Sequence, residues 1–108
     1  MTVYIAPDAP VKIVRLRVKN RWNHPRRITA TYYAEWVLGT NRAITSQYLI
    51  PEYDATQHTL LVHNPYSLEF GGQYAFLSGD RPFFGFTTDR IEFLGRSGTL
   101  AYPAALQR

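Results

Sequence analysis

The amino-acid sequence predicts an all-β protein whose short strands form an antiparallel sheet or sandwich, and three observations predict it. Apolar and aromatic runs are brief and are separated by Pro, Gly and Asn signals. No window sustains the 3.6-residue period of an amphipathic helix. The stretch Arg26–Leu38, RRITATYYAEWVL, alternates with period two: Ile28, Ala30, Tyr32, Ala34, Trp36 and Leu38 share one side, and Arg27, Thr29, Thr31, Tyr33, Glu35 and Val37 the other. Threonine, tyrosine, tryptophan and branched aliphatics suit a pleated backbone. The stretch is therefore expected to be a central strand, covered well on one side and partly on the other. Ala34, Trp36, Val37 and Leu38 are also tolerated in a helix that Gly39 would stop, but the β-branched run before them favours the strand.

A short strand, Thr2–Ile5, is expected first, then a corner at APDAP, where Pro7 and Pro10 fix φ and withhold their N–H donors. In VKIVRLRVKN, Val14, Leu16 and Val18 alternate with Arg15, Arg17 and Lys19, as in a strand with one wet face. Val11 and Ile13 fall out of phase with the later set, which predicts a bulge or a change of cover near Lys12. Pro25 in the connector makes a hairpin between this strand and the 26–38 stretch the simplest arrangement. TNRAIT reads as a polar connection and SQYLIPEYD as a strand that Pro51 confines to an edge. TLLVHN and QYAFLSG are further strands, with the aromatic loop YSLEFGG between them. Phe83, Phe84 and Phe86 put bulk on both faces of PFFGFTT, and the chain from Asp89 onward reads as an irregular loop around glycines and a proline.

Length and composition bound the rest. A chain of 108 residues is expected to form one domain, 1–108. Its aromatic content of 15% against 19% charged residues belongs to a folded protein. The absence of cysteine excludes disulfides and removes any need for an oxidising compartment. No secretory signal is read at the start, and no apolar run approaches the roughly 20 residues that cross a bilayer. A cytoplasmic protein without direct membrane contact is the expectation.

Each chemical candidate has a plainer reading beside it. Arg15, Arg17 and Lys19, near Arg21, Arg26 and Arg27, form a basic stripe with Trp22 beside it, which could hold phosphates and stack bases. The wet face of a strand gives the same pattern, and no nucleic-acid-binding motif accompanies it, so no nucleic-acid partner is expected. Glu52 and Asp54 share a strand face as a weak carboxylate pair. His24, His58 and His63 lack metal-ligand spacing, so no metal site is expected. Gly95-Arg96-Ser97-Gly98 lacks the spacing of a nucleophile turn, although its glycines could form an anion nest beside Arg96. Tyr32, Tyr33, Trp36, Tyr48, Tyr53 and Tyr66 offer flat faces with polar tips that suit sugar rings, with core packing as the plainer reading, favoured for Tyr32 and Trp36. The residues thus define a mostly β domain with no catalytic set.

TYYAEWVLG, HNPYSLEF and TTDRIEFLGRSGTLAYPAAL, in that order, resemble the β-sandwich region of family 94 glycoside phosphorylases, including the cyclic β-glucan synthases long grouped as glycosyltransferase 36. The resemblance runs from about Thr2 to Leu106 and includes VKIVRLRVKN; Asp89-Arg90, Glu92-Phe93 and Leu94-Gly95-Arg96 are its most specific part. It implies an antiparallel β-sandwich of the galactose-mutarotase-like type, a partial one in the sense that further strands are expected after PAAL. It also implies a helical barrel elsewhere in the parent polypeptide that carries the catalytic acid and the phosphate ligands. The parent then acts on a β-glucan or glucoside as a glycosyltransferase or phosphorylase without metal or organic cofactor, and can be the cytoplasmic part of an inner-membrane enzyme. This chain is expected to have no catalytic residue and no activity of its own. Its partners are expected to be the remainder of the parent chain and a second copy. Asp89, Arg90, Glu92 and Arg96 are its candidate substrate-binding residues, with an internal ion pair that only shapes the loop as the alternative. An autonomous carbohydrate-binding module and a self-associating interaction domain are the competing functions.

Overall fold

The computed structural model describes residues 1–68 and 71–107, with Arg42 described in its backbone alone. Two compact units divide the chain, Met1–Tyr33 and the residues from Ala34 onward. Described secondary structure is five strands, all paired antiparallel, with helix confined to short turns. This is the all-β class that the sequence predicts.

In the first unit, β1 (Thr2–Ile5) pairs with β2 (Lys12–Arg15) in a hairpin whose register runs from Thr2↔Arg15 to Ile5↔Lys12. The proline corner falls where expected and is closed by Ala6 N–H donating to Val11 O at 2.9 Å. Three expectations are corrected here. The ladder is continuous, so there is no bulge at Lys12; the other expectation, a change of cover, fits Ile13 and Val14, which are adjacent and both partly buried, while Val11 precedes the strand. The strand ends at Arg15 instead of running through Val18, and Leu16 and Val18 stay 54% and 57% exposed. The partner of β2 is β1 and not the 26–38 stretch. A local turn follows, in which Asn20 Oδ1 accepts from Trp22 N–H and Asn20 Nδ2 donates to His24 O. Arg26 lies 4.4 Å over the Trp22 ring.

Arg26–Leu38 itself is neither strand nor helix. A strand is defined by its ladder, and no described segment pairs with this one. Strand propensity measures packing against neighbours, so alternation without a partner leaves an extended segment. Ile28 and Tyr32 are at least half exposed; Tyr33 is partly buried, and continuous cover begins at Glu35–Leu38.

The second unit starts by tying that covered end down. Thr45 Oγ1 donates to Val37 O at 2.6 Å, and Asn64 Nδ2 donates to Leu38 O at 3.1 Å. Leu38 takes φ 46°, a left-handed turn unusual for a side chain of its size. TNRAIT, expected as a plain connection, forms α1 (Arg42–Thr45) and runs into a 3₁₀ turn, Ser46–Tyr48. Asn41 explains it: its Oδ1 accepts from Ala43 N–H at 2.9 Å, which satisfies a donor that the helix start leaves free.

Strands β3 (Ile50–Asp54), β4 (Thr59–His63) and β5 (Ala75–Ser78) form an antiparallel sheet in the order β3-β4-β5. Pro51 sits on edge strand β3, as its missing N–H requires. The β3–β4 turn is held by Asp54 Oδ1, which accepts from Thr56 and Gln57 N–H. Cross-strand register puts Tyr53, Leu60, Val62, Ala75 and Leu77 on one face and Glu52, Thr59, Leu61, Phe76 and Ser78 on the other. Val62 is 5% exposed on the first face, and Phe86 packs on Tyr53 there with ring centroids 4.3 Å apart. On the second face Thr59 Oγ1 bonds Ser78 Oγ at 3.0 Å, and the His63 and Tyr74 rings meet. In the predicted loop YSLEFGG, Glu69 and Phe70 lie outside the described residues. The loop predicted from Asp89 onward is not wholly irregular: it contains α2 (Arg90–Leu94) and a 3₁₀ turn, Ala104–Gln107, that pack together.

Candidate functional site

Asp89–Gly98 is the best-organised loop in the second unit. Asp89 has extended backbone and caps α2: its Oδ1 accepts from Ile91 N–H at 2.8 Å and Glu92 N–H at 3.2 Å. The Asp89-x-x-Glu92 spacing is that of a capping box. Here the return bond runs through Thr87, whose hydroxyl donates to Glu92 Oε2 at 2.6 Å and accepts from Asp89 N–H at 3.1 Å. Both acidic candidates are thereby committed to the loop's own frame.

Arg90 is committed as well. Its Nε donates to Glu35 Oε1 at 2.9 Å, with Arg90 61% and Glu35 21% exposed. An exposed pair of this kind stabilises by under about 1 kcal/mol, but it fixes where Arg90 points. Its partner is Glu35, fifty-five positions away, and not the Asp89 or Glu92 beside it. Arg96 differs from these three. It is exposed, and no hydrogen bond or ion pair engages it among the described residues.

The backbone beneath Arg96 is tightly built. Leu94 is 1% exposed, and Gly95 ends α2 at φ 89°, donating to Ile91 O at 2.7 Å. Gly98 N–H returns to Gly95 O at 3.2 Å, and a β-carbon on Gly98 would lie 1.5 Å from Leu94 O. No side chain fits there, so the sharp turn depends on glycine. Arg96 is thus an exposed cation carried on a tightly hydrogen-bonded turn.

The remaining candidates are not assembled with it. Glu52 and Asp54 share a face, but Asp54 serves the β3–β4 turn. His58 lies 3.5 Å from the Tyr53 hydroxyl, and His63 Nδ1 is enclosed without a partner beside Tyr74. Among the described residues no group of His, Asp and Glu could hold a metal ion. No helix among them is long and apolar enough to cross a membrane. Tyr66 is 72% and Tyr48 40% exposed, with ring centroids 5.1 Å apart. Asn64, which is buried, holds Tyr66 in place by accepting from its N–H at 3.0 Å.

Glu35 and Thr87 are the members of the loop's frame that sequence reasoning misses. The capping spacing signals the use of Asp89 and Glu92; nothing local signals Glu35, whose contact spans most of the second unit.

Comparisons with known proteins fit this frame. The chain is 42% identical over 97 residues to cyclic β-(1,2)-glucan synthase NdvB of Rhizobium meliloti (strain 1021), a match that covers 90% of this chain and 3% of that protein. The chain thus spans a small fraction of the length of the curated relative it matches. No solved structure matches it significantly. The family model for the glycosyl hydrolase 94 supersandwich domain matches residues 1–108. With every residue inside that match, the chain belongs to the glycosyl hydrolase 94 family as a supersandwich domain, the β-sandwich part of a carbohydrate-active enzyme.

Proposed function

We propose that this chain is a non-catalytic part of a larger enzyme that builds or cleaves a β-glucan, and that both units belong to one sandwich domain. It supports a helical catalytic barrel in the remainder of the parent chain and lends Arg96 to the sugar site. Asp89, Arg90 and Glu92 shape the loop that presents Arg96. The proposed setting is the cytoplasm, with no nucleic-acid partner. The resemblance to a cyclic β-(1,2)-glucan synthase supports the substrate class. The observation that carries the role of Arg96 is its freedom: of the four candidates it alone has a side chain that no described residue engages, while its backbone is held by the Gly95–Gly98 turn. A guanidinium so placed donates to sugar hydroxyls or to a carboxylate that holds them. The 108-residue chain alone should release no sugar phosphate from β-glucans, because its described residues offer no acid paired with a phosphate site.

Kinetics of the full-length enzyme test the reading. Arg96→Ala should raise KM or lower kcat by about tenfold while the melting temperature holds, as expected when a substrate contact alone is removed. A variant with a lower melting temperature and unchanged kinetics overturns it. Exposure of the Tyr48–Tyr66 pair favours a second reading, an autonomous sugar-binding surface. In that case soluble β-glucan raises the melting temperature of the 108-residue chain, and Tyr66→Ala abolishes the rise.

A further inference from the structure

The loop that carries Arg96 is fastened from outside itself. Glu35 Oε1 accepts from Arg90 Nε at 2.9 Å across 55 positions, and Glu35 is 21% exposed. Nothing local recommends that partner. Asp89 and Glu92 are close to Arg90 in sequence, but their carboxylates serve the helix cap and Thr87. A cation at the start of a helix also gains nothing from the backbone there, which favours cations at the other end. Glu35 in turn stands on an anchored backbone. Further along its segment, Val37 O accepts from Thr45 Oγ1 and Leu38 O accepts from Asn64 Nδ2, and Asn64 directly follows β4. A continuous path of bonds therefore runs from the end of β4, through Leu38 and Glu35, to the first residue of α2.

We propose that Glu35 is a positioning residue for the sugar-contacting loop: it anchors α2 through Arg90 and so sets where Arg96 stands. The inference rests on the reading of Arg96 as a sugar contact and adds the residue that aims it. Arg90 opens α2, and Leu94, which closes it, is 1% exposed. Gly95 N–H then donates to Ile91 O and Gly98 N–H to Gly95 O, which closes the turn around Arg96. A short helix bonded in this way transmits a shift of its first residue to the turn at its end. Glu35 and Arg90 lie in one compact unit, so their bond is internal to it and does not depend on what covers the margins of the sheet. An exposed ion pair adds little to folding stability, because water and salt screen it. Its geometric effect is larger, since misplacing a binding group by about 1 Å can weaken a reaction by as much as about 10²-fold. Glu35 therefore matters for kinetics more than for the melting temperature.

Kinetics of the full-length enzyme on a soluble β-(1,2)-glucan test it, with the melting temperature of each variant measured alongside. Glu35→Ala should lower kcat/KM by about fivefold or more, through whichever of KM and kcat Arg96→Ala changes, while the melting temperature holds within about 2 °C. Arg90→Ala removes the same bond from its exposed side and should give the same loss; it carries the test where Glu35→Ala does not fold. The double variant shows whether Glu35 acts through Arg96: added to Arg96→Ala, Glu35→Ala should cost nothing further. Unchanged kinetics in Glu35→Ala beside a loss in Arg96→Ala overturn this proposal and leave the reading of Arg96 standing. Unchanged kinetics in Arg96→Ala overturn both. Losses that multiply in the double variant also overturn it, because Glu35 then acts by a route other than Arg96. A lowered melting temperature with unchanged kinetics in Glu35→Ala does the same, since the pair is then only structural.

Discussion

The first unit's hairpin and the second unit's sheet use similar strand-forming residues, yet they are covered differently. In β1 and its flank, Val3, Tyr4 and Ile5 are about half exposed or more, whereas Val62 in β4 is 5% exposed and Leu94 in α2 is 1% exposed. The asparagine and arginine hydrogen bonds described in them differ in reach. In the first unit Asn20 closes a turn to residues two and four positions away. In the second, Asn64 reaches Leu38 across 26 positions and Arg90 reaches Glu35 across 55. Short-range bonds shape a turn but bring nothing over a sheet. Long-range ones close loops, and loop closure is what lets distant apolar side chains meet. The difference teaches that cover, rather than strand propensity, separates the two units.

Substitutions can break that comparison at its strongest point. Gly98→Ala should have the largest effect. Its β-carbon would collide with the Leu94 carbonyl, which lies inside the best-buried helix contact. A loss above about 4 kcal/mol, or failure to fold, is expected from chemical denaturation. Leu94→Ala comes next at about 3 kcal/mol, from lost burial plus the cavity left behind. The matching truncation in the first unit, Leu16→Ala, should stay within about 0.5 kcal/mol because the side chain is already in water. Equal losses for the two leucines would show that the first unit is covered in solution and would dissolve the contrast. Asp89→Ala should cost about 1 kcal/mol through two lost cap bonds, and Asp89→Asn should recover most of it. If Asp89→Asn is as damaging as Asp89→Ala, the carboxylate has a role beyond capping.

Much of this was legible in the sequence, and the failures have a common cause. The proline corner, the edge position of Pro51 and the strands β4 and β5 all follow from local chemistry: a missing donor, a branched run, a turn residue. Short helices at Asn41 and Asp89 were also legible, since Asn is a good cap and Asp89-x-x-Glu92 is a capping spacing; they are too short for any periodic signal to show. The 26–38 stretch failed for a different reason. Its alternation is real, but a strand requires a ladder partner, and alternation says nothing about whether one is present. The loop bearing Arg96 could be located by resemblance, while the division of labour within it could not. That Arg90 is occupied and Arg96 free depends on Glu35, and no spacing rule connects residues so far apart.

Pro51 has a consequence for the direction in which the sheet can grow. In the order β3-β4-β5 one margin is β3, which lacks a donor at Pro51 and carries Glu52 and Asp54. A strand arriving there would find one ladder bond missing and two charges in its way. One imino acid thus works as a stop at that end of the sheet.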